Sequence, residues 1–156
     1  MILVRSWIMA MMLMLTCFNS SRAAEKTVDL KALSGLTTAK VIFDVRAADL
    51  DKLGFNLRLF SETLEGMISQ GVKPEMIVAF RGPGVKLLTV PVIDEETQDL
   101  FRDLKKKGVR FEACAVAMRI FKVDPAGLIP EVVLVSNVFN SFIGYQNKGY
   151  AMVAIN

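Results

Sequence analysis

The stretch that decides the fold runs from Asp94 to Cys114, DEETQDLFRDLKKKGVRFEAC. Asp94 followed by Glu95 and Glu96 marks a helix start, with a short acidic side chain to cap the first turn and negative charge at the positive end of the dipole. Leu100, Phe101 and Leu104 give that helix a buried stripe. Lys105-Lys106-Lys107 complements its last turn as a solvated end, and Gly108 stops it. Val109 to Ala113 then reads as a β-strand. Cys114 follows it, and a helix is expected from Ala115 to Lys122. Helix, glycine stop, strand and helix in direct succession is the pattern of a parallel sheet.

The same alternation extends in both directions. Upstream, Lys40-Val41-Ile42-Phe43-Asp44-Val45 is an apolar run without polar alternation at its centre, as suits a strand buried on both faces. Asp49 or Asp51 caps the next segment, where Leu53, Leu57, Phe60, Leu64 and Met67 recur at helical spacing before Gly71. Met76 to Phe80 is a second strand, broken by Arg81-Gly82-Pro83-Gly84, with a helical turn at Val85 to Leu88. Downstream, Asp124-Pro125 opens a further turn, Val132 to Val135 is a fourth strand and Tyr150 to Ile155 a fifth. Between those two strands, Val138 to Gln146 is helical with Phe139, Phe142, Ile143 and Gln146 on one side, and Gly149 serves as its C-cap. Phe139, Phe142 and Tyr145 exceed what one helix face needs. They are core or a subunit contact, and core is expected first. The residues thus predict an α/β domain over 40–156: a mostly parallel five-stranded sheet with helices on both faces. A polar lead-in occupies 24–39, with one helical turn at Leu30 to Leu33.

The first 23 residues follow a different logic. Arg5 supplies a positive start, Trp7 to Leu15 is continuously apolar, and Ser21-Arg22-Ala23 offers small residues at the positions a signal peptidase reads. The apolar run is about half the roughly 20 residues that span a bilayer. A signal peptide cleaved before Ala24 is therefore expected, with a periplasmic mature protein and no stable membrane insertion. An uncleaved anchor is the rival. A lipidated Cys17 is weaker, because Met14-Leu15-Thr16 lacks the small residue normally found before such a cysteine. Cleavage removes Cys17 and leaves one thiol, Cys114, in an oxidising compartment without an internal partner.

The chain has 156 residues, 53% of them hydrophobic, which suits one domain with a real core and excludes a disordered chain. Without Arg5 and Arg22 its 19 basic residues become 17 against 16 acidic, so the mature domain gives no electrostatic case for nucleic acid. Histidine is absent. That removes Ser-His and Cys-His pairs, imidazole bases and His-containing zinc sites. The two cysteines form no Cys-x-x-Cys pair, which excludes a dithiol motif and a Cys-rich metal site. No metal and no cofactor is expected.

Cys114 is the main candidate for chemistry. It ends a strand and opens a helix, at the sheet edge where ligands bind in such folds and where the helix dipole favours a thiolate. Free cysteine is equally at home as a small buried hydrophobe. Arg81, Gly82 and Gly84 end the second strand and should share that edge. The glycines allow close backbone approach to a ligand and Arg81 suits an anion, although the loop is no phosphate-binding motif. Asp44, at the end of the first strand, is a further candidate, or a turn residue.

Four stretches taken together resemble the DsrE/DsrF-like family. They are Lys40 to Val45, Ile77 to Leu88 with the Arg81-Gly82-Pro83-Gly84 turn, Leu104 to Cys114, and Gln146-Asn147-Lys148-Gly149-Tyr150-Ala151. The resemblance implies a three-layer, flavodoxin-like α/β/α sandwich that assembles as a trimer or hexamer. It also implies a cysteine, aligned with Cys114, that in some members carries sulfur as a persulfide between a donor and an acceptor protein. Two positions depart from the family pattern: Arg81 stands where relatives often have histidine, and Val116 where a polar residue is common. The expected function is a periplasmic sulfur carrier acting through Cys114. The alternatives are a non-catalytic binding or assembly module with a structural cysteine, and a redox sensor joined through Cys114.

Overall fold

A computed structural model describes residues 30–156, and the signal-peptide, Cys17 and cleavage-site expectations lie outside the described residues. Five strands form one sheet in the order β4-β3-β2-β1-β5: β1 (Thr38–Val45), β2 (Lys73–Phe80), β3 (Arg110–Cys114), β4 (Val132–Val135) and β5 (Ala151–Ile155). Every neighbouring pair is parallel, so the sheet is wholly rather than mostly parallel. Strands β1 and β2 begin earlier than their apolar runs, because Thr38 and Ala39 pair with Lys73 and Pro74 before the core is reached.

A parallel sheet needs cover on both faces. Helices α2 (Leu50–Ser69) and α3 (Glu95–Lys106) cover one. Their aromatic side chains meet those of the sheet: Phe60 lies 4.4 Å from Phe43, and Phe101 lies 5.9 Å from Phe80 and 4.6 Å from Phe111, measured between ring centroids. Both helices start where the acidic side chains predicted. Asp49 accepts from the Lys52 amide at 2.9 Å and Asp94 from the Thr97 amide at 2.7 Å. The chain begins with a single turn, α1 (Leu30–Leu33). After β3 comes α4 (Ala115–Ile120), shorter than expected because Lys122 already adopts a left-handed φ of 55°.

The opposite face is covered by α5 (Val138–Gln146), where Tyr145 reaches Glu112 of β3. Here the expectation of a buried aromatic face is corrected. Val138 and Phe142 are buried, but Phe139 is 53% and Ile143 61% exposed. A nine-residue helix rests on the sheet through positions 138, 142 and 145, one stripe at helical spacing. Phe139 and Ile143 lie on the next stripe, turned away from the sheet.

Register places chemistry on the α5 face. Asp44 pairs with Ala79, Ala79 with Glu112, Glu112 with Val133, and Asp44 also with Ala154. Side chains alternate along a strand, so this transverse row shares one face. That row holds two buried carboxylates, Asp44 and Glu112.

Candidate functional site

The site forms where β2 and β3 end together. Phe80 pairs with Ala113, so the residues that follow, Arg81 and Cys114, leave adjacent strands side by side. Both stand on the α5 face, two residues beyond Ala79 and Glu112. Arg81 continues the extended backbone (φ −142°, ψ 178°) and donates its amide to the Val45 carbonyl at 3.1 Å. Its side chain then folds back over β1.

There it meets Asp44. Arg81 Nε donates to Oδ1 and Nη2 to Oδ2, each at 2.7 Å, a two-pronged pair in which the carboxylate is only 4% exposed. The hydrogen bonds that Arg81 donates to Asp44 raise the guanidinium pKa above its ordinary value, against the burial that lowers it. The guanidinium carbon lies 5.4 Å from the centre of the Phe139 ring. Thus the exposed Phe139 is a wall of the site, stacked on the cation that Asp44 holds in place.

Cys114 is 4% exposed and is the one free cysteine among the described residues. It occupies the N-cap position of α4, and its side chain makes no capping hydrogen bond. Cys114 lines a cleft of about 170 Å³ whose other walls include Arg81, Gly82, Val116, Ile120 and Phe139. Apart from Arg81 and Asn137 the lining is apolar. A cleft of this size admits a group of a few heavy atoms, given that a water molecule occupies roughly 30 Å³ of liquid.

The remaining candidates part company. Gly82 lines the cleft and has a φ of +58°, a conformation that favours glycine. Gly84 does not line it. A Cβ there would sit 2.7 Å from the Ala47 carbonyl oxygen, so Gly84 lets the turn after β2 pack against the loop after β1 rather than against a ligand. Asp44 is likewise a step removed from the cleft and acts on it through Arg81. The sequence reading passed over Glu112, which lies two residues before Cys114 and is also 4% exposed. The available signal was a carboxylate inside a strand otherwise read as core.

Residues 40–155 match the sequence pattern of the DsrE/DsrF-like family. The chain belongs to this family. An uncharacterized protein of Aquifex aeolicus (strain VF5) is 27% identical over 124 residues, covering 73% of this chain and 55% of its own. The chain thus spans about half the length of that relative. Among solved structures, a protein of unknown function from Methanobacterium thermoautotrophicum superposes with a TM-score of 0.61 at 22% identity, over 75% of this chain and 99% of its own. The ychN protein from E. coli gives 0.57 at 13% identity, over 75% and 99%. A conserved protein of unknown function from Bacteroides thetaiotaomicron gives 0.57 at 19%, over 74% and 94%. At these identities the three likenesses speak for the fold. In this DsrE-like domain, two of the stretches that carried the resemblance, the turn after β2 and the cysteine that ends β3, meet at the cleft.

Proposed function

We propose that this DsrE-like protein carries sulfur as a persulfide on Cys114, as one station of a sulfur-relay or sulfur-oxidation sequence. One observation carries the reading: Cys114, a free cysteine, is among the residues lining a largely apolar cleft at the carboxyl edge of the sheet, with Arg81 in its wall. An apolar wall suits a soft, weakly hydrated sulfane sulfur, and the cation suits the anion that accompanies it. Membership of the family supports the sulfur-relay class.

The chemistry is an exchange without net oxidation. The Cys114 thiolate attacks the outer sulfur of a donor persulfide, R–S–SH. A new S–S bond forms at Cys114, the donor S–S bond breaks, and the donor leaves as thiolate with the electron pair of that bond. Delivery to an acceptor thiolate repeats the step in reverse. Asp44 holds Arg81 in place, and Arg81 and Phe139 line the cleft.

The test is incubation with a low-molecular-weight organic persulfide followed by peptide mass spectrometry. The peptide containing Cys114 should gain the mass of one sulfur atom, a thiol reductant should remove it, and Cys114→Ser should never acquire it. A thiol that takes no sulfur and resists alkylation until the protein unfolds removes the reading. The protein would then stand as a binding or assembly module with a structural cysteine.

Two further parts of the proposal concern setting. The apolar run Trp7 to Leu15 and the small residues before Ala24 support export to the periplasm, checked by the N-terminal sequence of protein recovered from that compartment. Exposed apolar side chains at both sheet edges, Val133 and Leu134 of β4 and Met152 and Val153 of β5, support assembly as a trimer or hexamer. Light scattering that gives a monomer at micromolar concentration refutes the assembly.

A further inference from the structure

We propose that the surface around the Cys114 cleft docks an acidic protein segment with an apolar anchor, part of the partner that hands sulfur to Cys114 or takes it. The partner's task rests on the sulfur-carrier reading, and its chemistry rests on how this chain sorts its surface charge. Among the described residues, every exposed acid except Asp124 lies on α2, on α3 or at their caps, Asp49 and Asp94. Around the cleft the side chains with a charge to offer are cations. Arg81 and Lys86 belong to the turn after β2, and Arg119 and Lys122 to the end of α4 and the residues just past it. Helix α5 has no charged residue. Asp44 offsets Arg81, so the excess comes from Lys86, Arg119 and Lys122, all three exposed.

Lys86 and Lys122 line a second recess, of about 440 Å³, which meets the cleft at Phe121, a residue common to both. Lys86 Nζ lies 5.3 Å from the centre of that ring. The one acid of the recess, Asp124, caps the turn that follows by accepting from the Ala126 amide at 2.9 Å. Cleft and recess therefore lie side by side, the first apolar with Ile120 and Phe139 exposed, the second basic. Exposed large apolar side chains with charge at their margin are the make-up of an interface, anchors inside and a polar rim outside. The complement is an apolar side chain flanked by carboxylates. A basic partner would meet like charge, which costs affinity and slows encounter. The cations surround a hollow rather than an apolar ridge, so a protein segment fits this surface better than a flat bilayer does.

NMR titration of isotope-labelled Cys114→Ser protein tests the proposal with sulfur chemistry kept out of the readout. The probes are two synthetic peptides with the same leucine-serine-phenylalanine centre, flanked by glutamates in one and by lysines in the other. The glutamate peptide should shift amides of α4, α5 and the turn after β2. It should bind at least tenfold more tightly than the lysine peptide at low salt, and the difference should vanish near 1 M salt, where the Debye length is about 3 Å. Lys86→Glu combined with Lys122→Glu, two exposed positions, should reverse the preference. Any of five results overturns the proposal: equal binding of the two peptides; shifts confined to α2 and α3; a preference unchanged in the double variant; no peptide binding but sedimentation with phosphatidylglycerol vesicles, which makes the surface a membrane contact; or no peptide binding but a lower mass for the double variant in light scattering, which makes it a contact between copies of this chain. None of them touches persulfide formation on Cys114. Peptide binding in a protein whose thiol takes no sulfur leaves the docking surface standing and removes only the partner's task, so the two readings fail separately.

Discussion

At Arg81 one guanidinium has two tasks. It neutralises a buried carboxylate, and it walls the cleft of Cys114. The first task dominates stability. Arg81→Ala leaves the nearly inaccessible Asp44 carboxyl without its partner, and losing one side of a buried pair costs about 3 kcal/mol. The double variant Asp44→Leu with Arg81→Met should return close to the stability of the parent, since well-packed apolar replacements of such pairs are often neutral. Chemical denaturation of the three proteins checks this, and a double variant as unstable as Arg81→Ala refutes it. The pairing also shows where a sequence stops informing. Asp44 and Arg81 were both visible as residues of the carboxyl edge, each offered as a ligand contact. They lie 37 positions apart, and only the register of β1 with β2 shows that they serve each other.

Among the elements, the turn after β2 and the end of α4 are sensitive in opposite ways. Gly84→Ala drives a Cβ to 2.7 Å from a backbone oxygen that cannot swing aside, so a loss of about 1–3 kcal/mol is expected, with retreat of the β1 and β2 loops from each other. At Lys122 the chain makes the same helix-ending pair of hydrogen bonds as at Gly71, Gly108 and Gly149. The residue at positive φ bonds back three positions and the next residue back five. An exposed lysine bears this conformation at a cost of about 1–2 kcal/mol, whereas glycine gives up roughly half of that gain through its freer unfolded chain. Lys122→Gly should therefore raise the melting temperature. Asp94, the cap of α3, has its pKa lowered by hydrogen bonds from Thr97. Its contribution is complete above the ordinary carboxylate range and is lost as the pH falls through the lowered folded value. Asp94→Asn keeps a cap but not the charge, so its melting temperature should fall less steeply in acid than that of the parent. These boundaries were legible because caps and glycine stops are local. The outward turn of Phe139 and Ile143 was not, since helical spacing shows which residues share a stripe and not which stripe meets the sheet.

For the molecule as a whole, tyrosine offers a simple probe of integrity. The chain has two tyrosines, Tyr145 and Tyr150, packed 5.1 Å apart. Burial raises both phenol pKa values, with the Glu112 and Glu75 carboxylates they hydrogen-bond adding to it. The folded state keeps these protons where the unfolded state, near pH 10, gives them up, so stability should fall as pH rises through that window toward the raised values. In an alkaline absorbance titration the tyrosinate band should appear late and together with unfolding. A band growing at the ordinary phenol value in folded protein contradicts the packing. At this scale the alternation of apolar runs and capped helices was enough to specify a parallel α/β sheet. The transverse row joining Asp44 to Glu112 was hidden, because it is created by strand register across the sheet and has no counterpart along the chain.

The strand order also decides how the molecule is oriented when it is tethered. All strands run the same way, so α1 and the start of β1 lie at one rim, while β5 finishes at the other with Asn156 Oδ1 accepting from Arg46 at 2.5 and 3.1 Å. A label or fusion after Asn156 emerges on the rim that carries the thiol and will crowd it. One attached ahead of α1 leaves that rim pointing away from the support. Thiol-reactivity measurements on immobilised protein should accordingly differ between the two attachment ends, with faster modification when the N-terminal side is held.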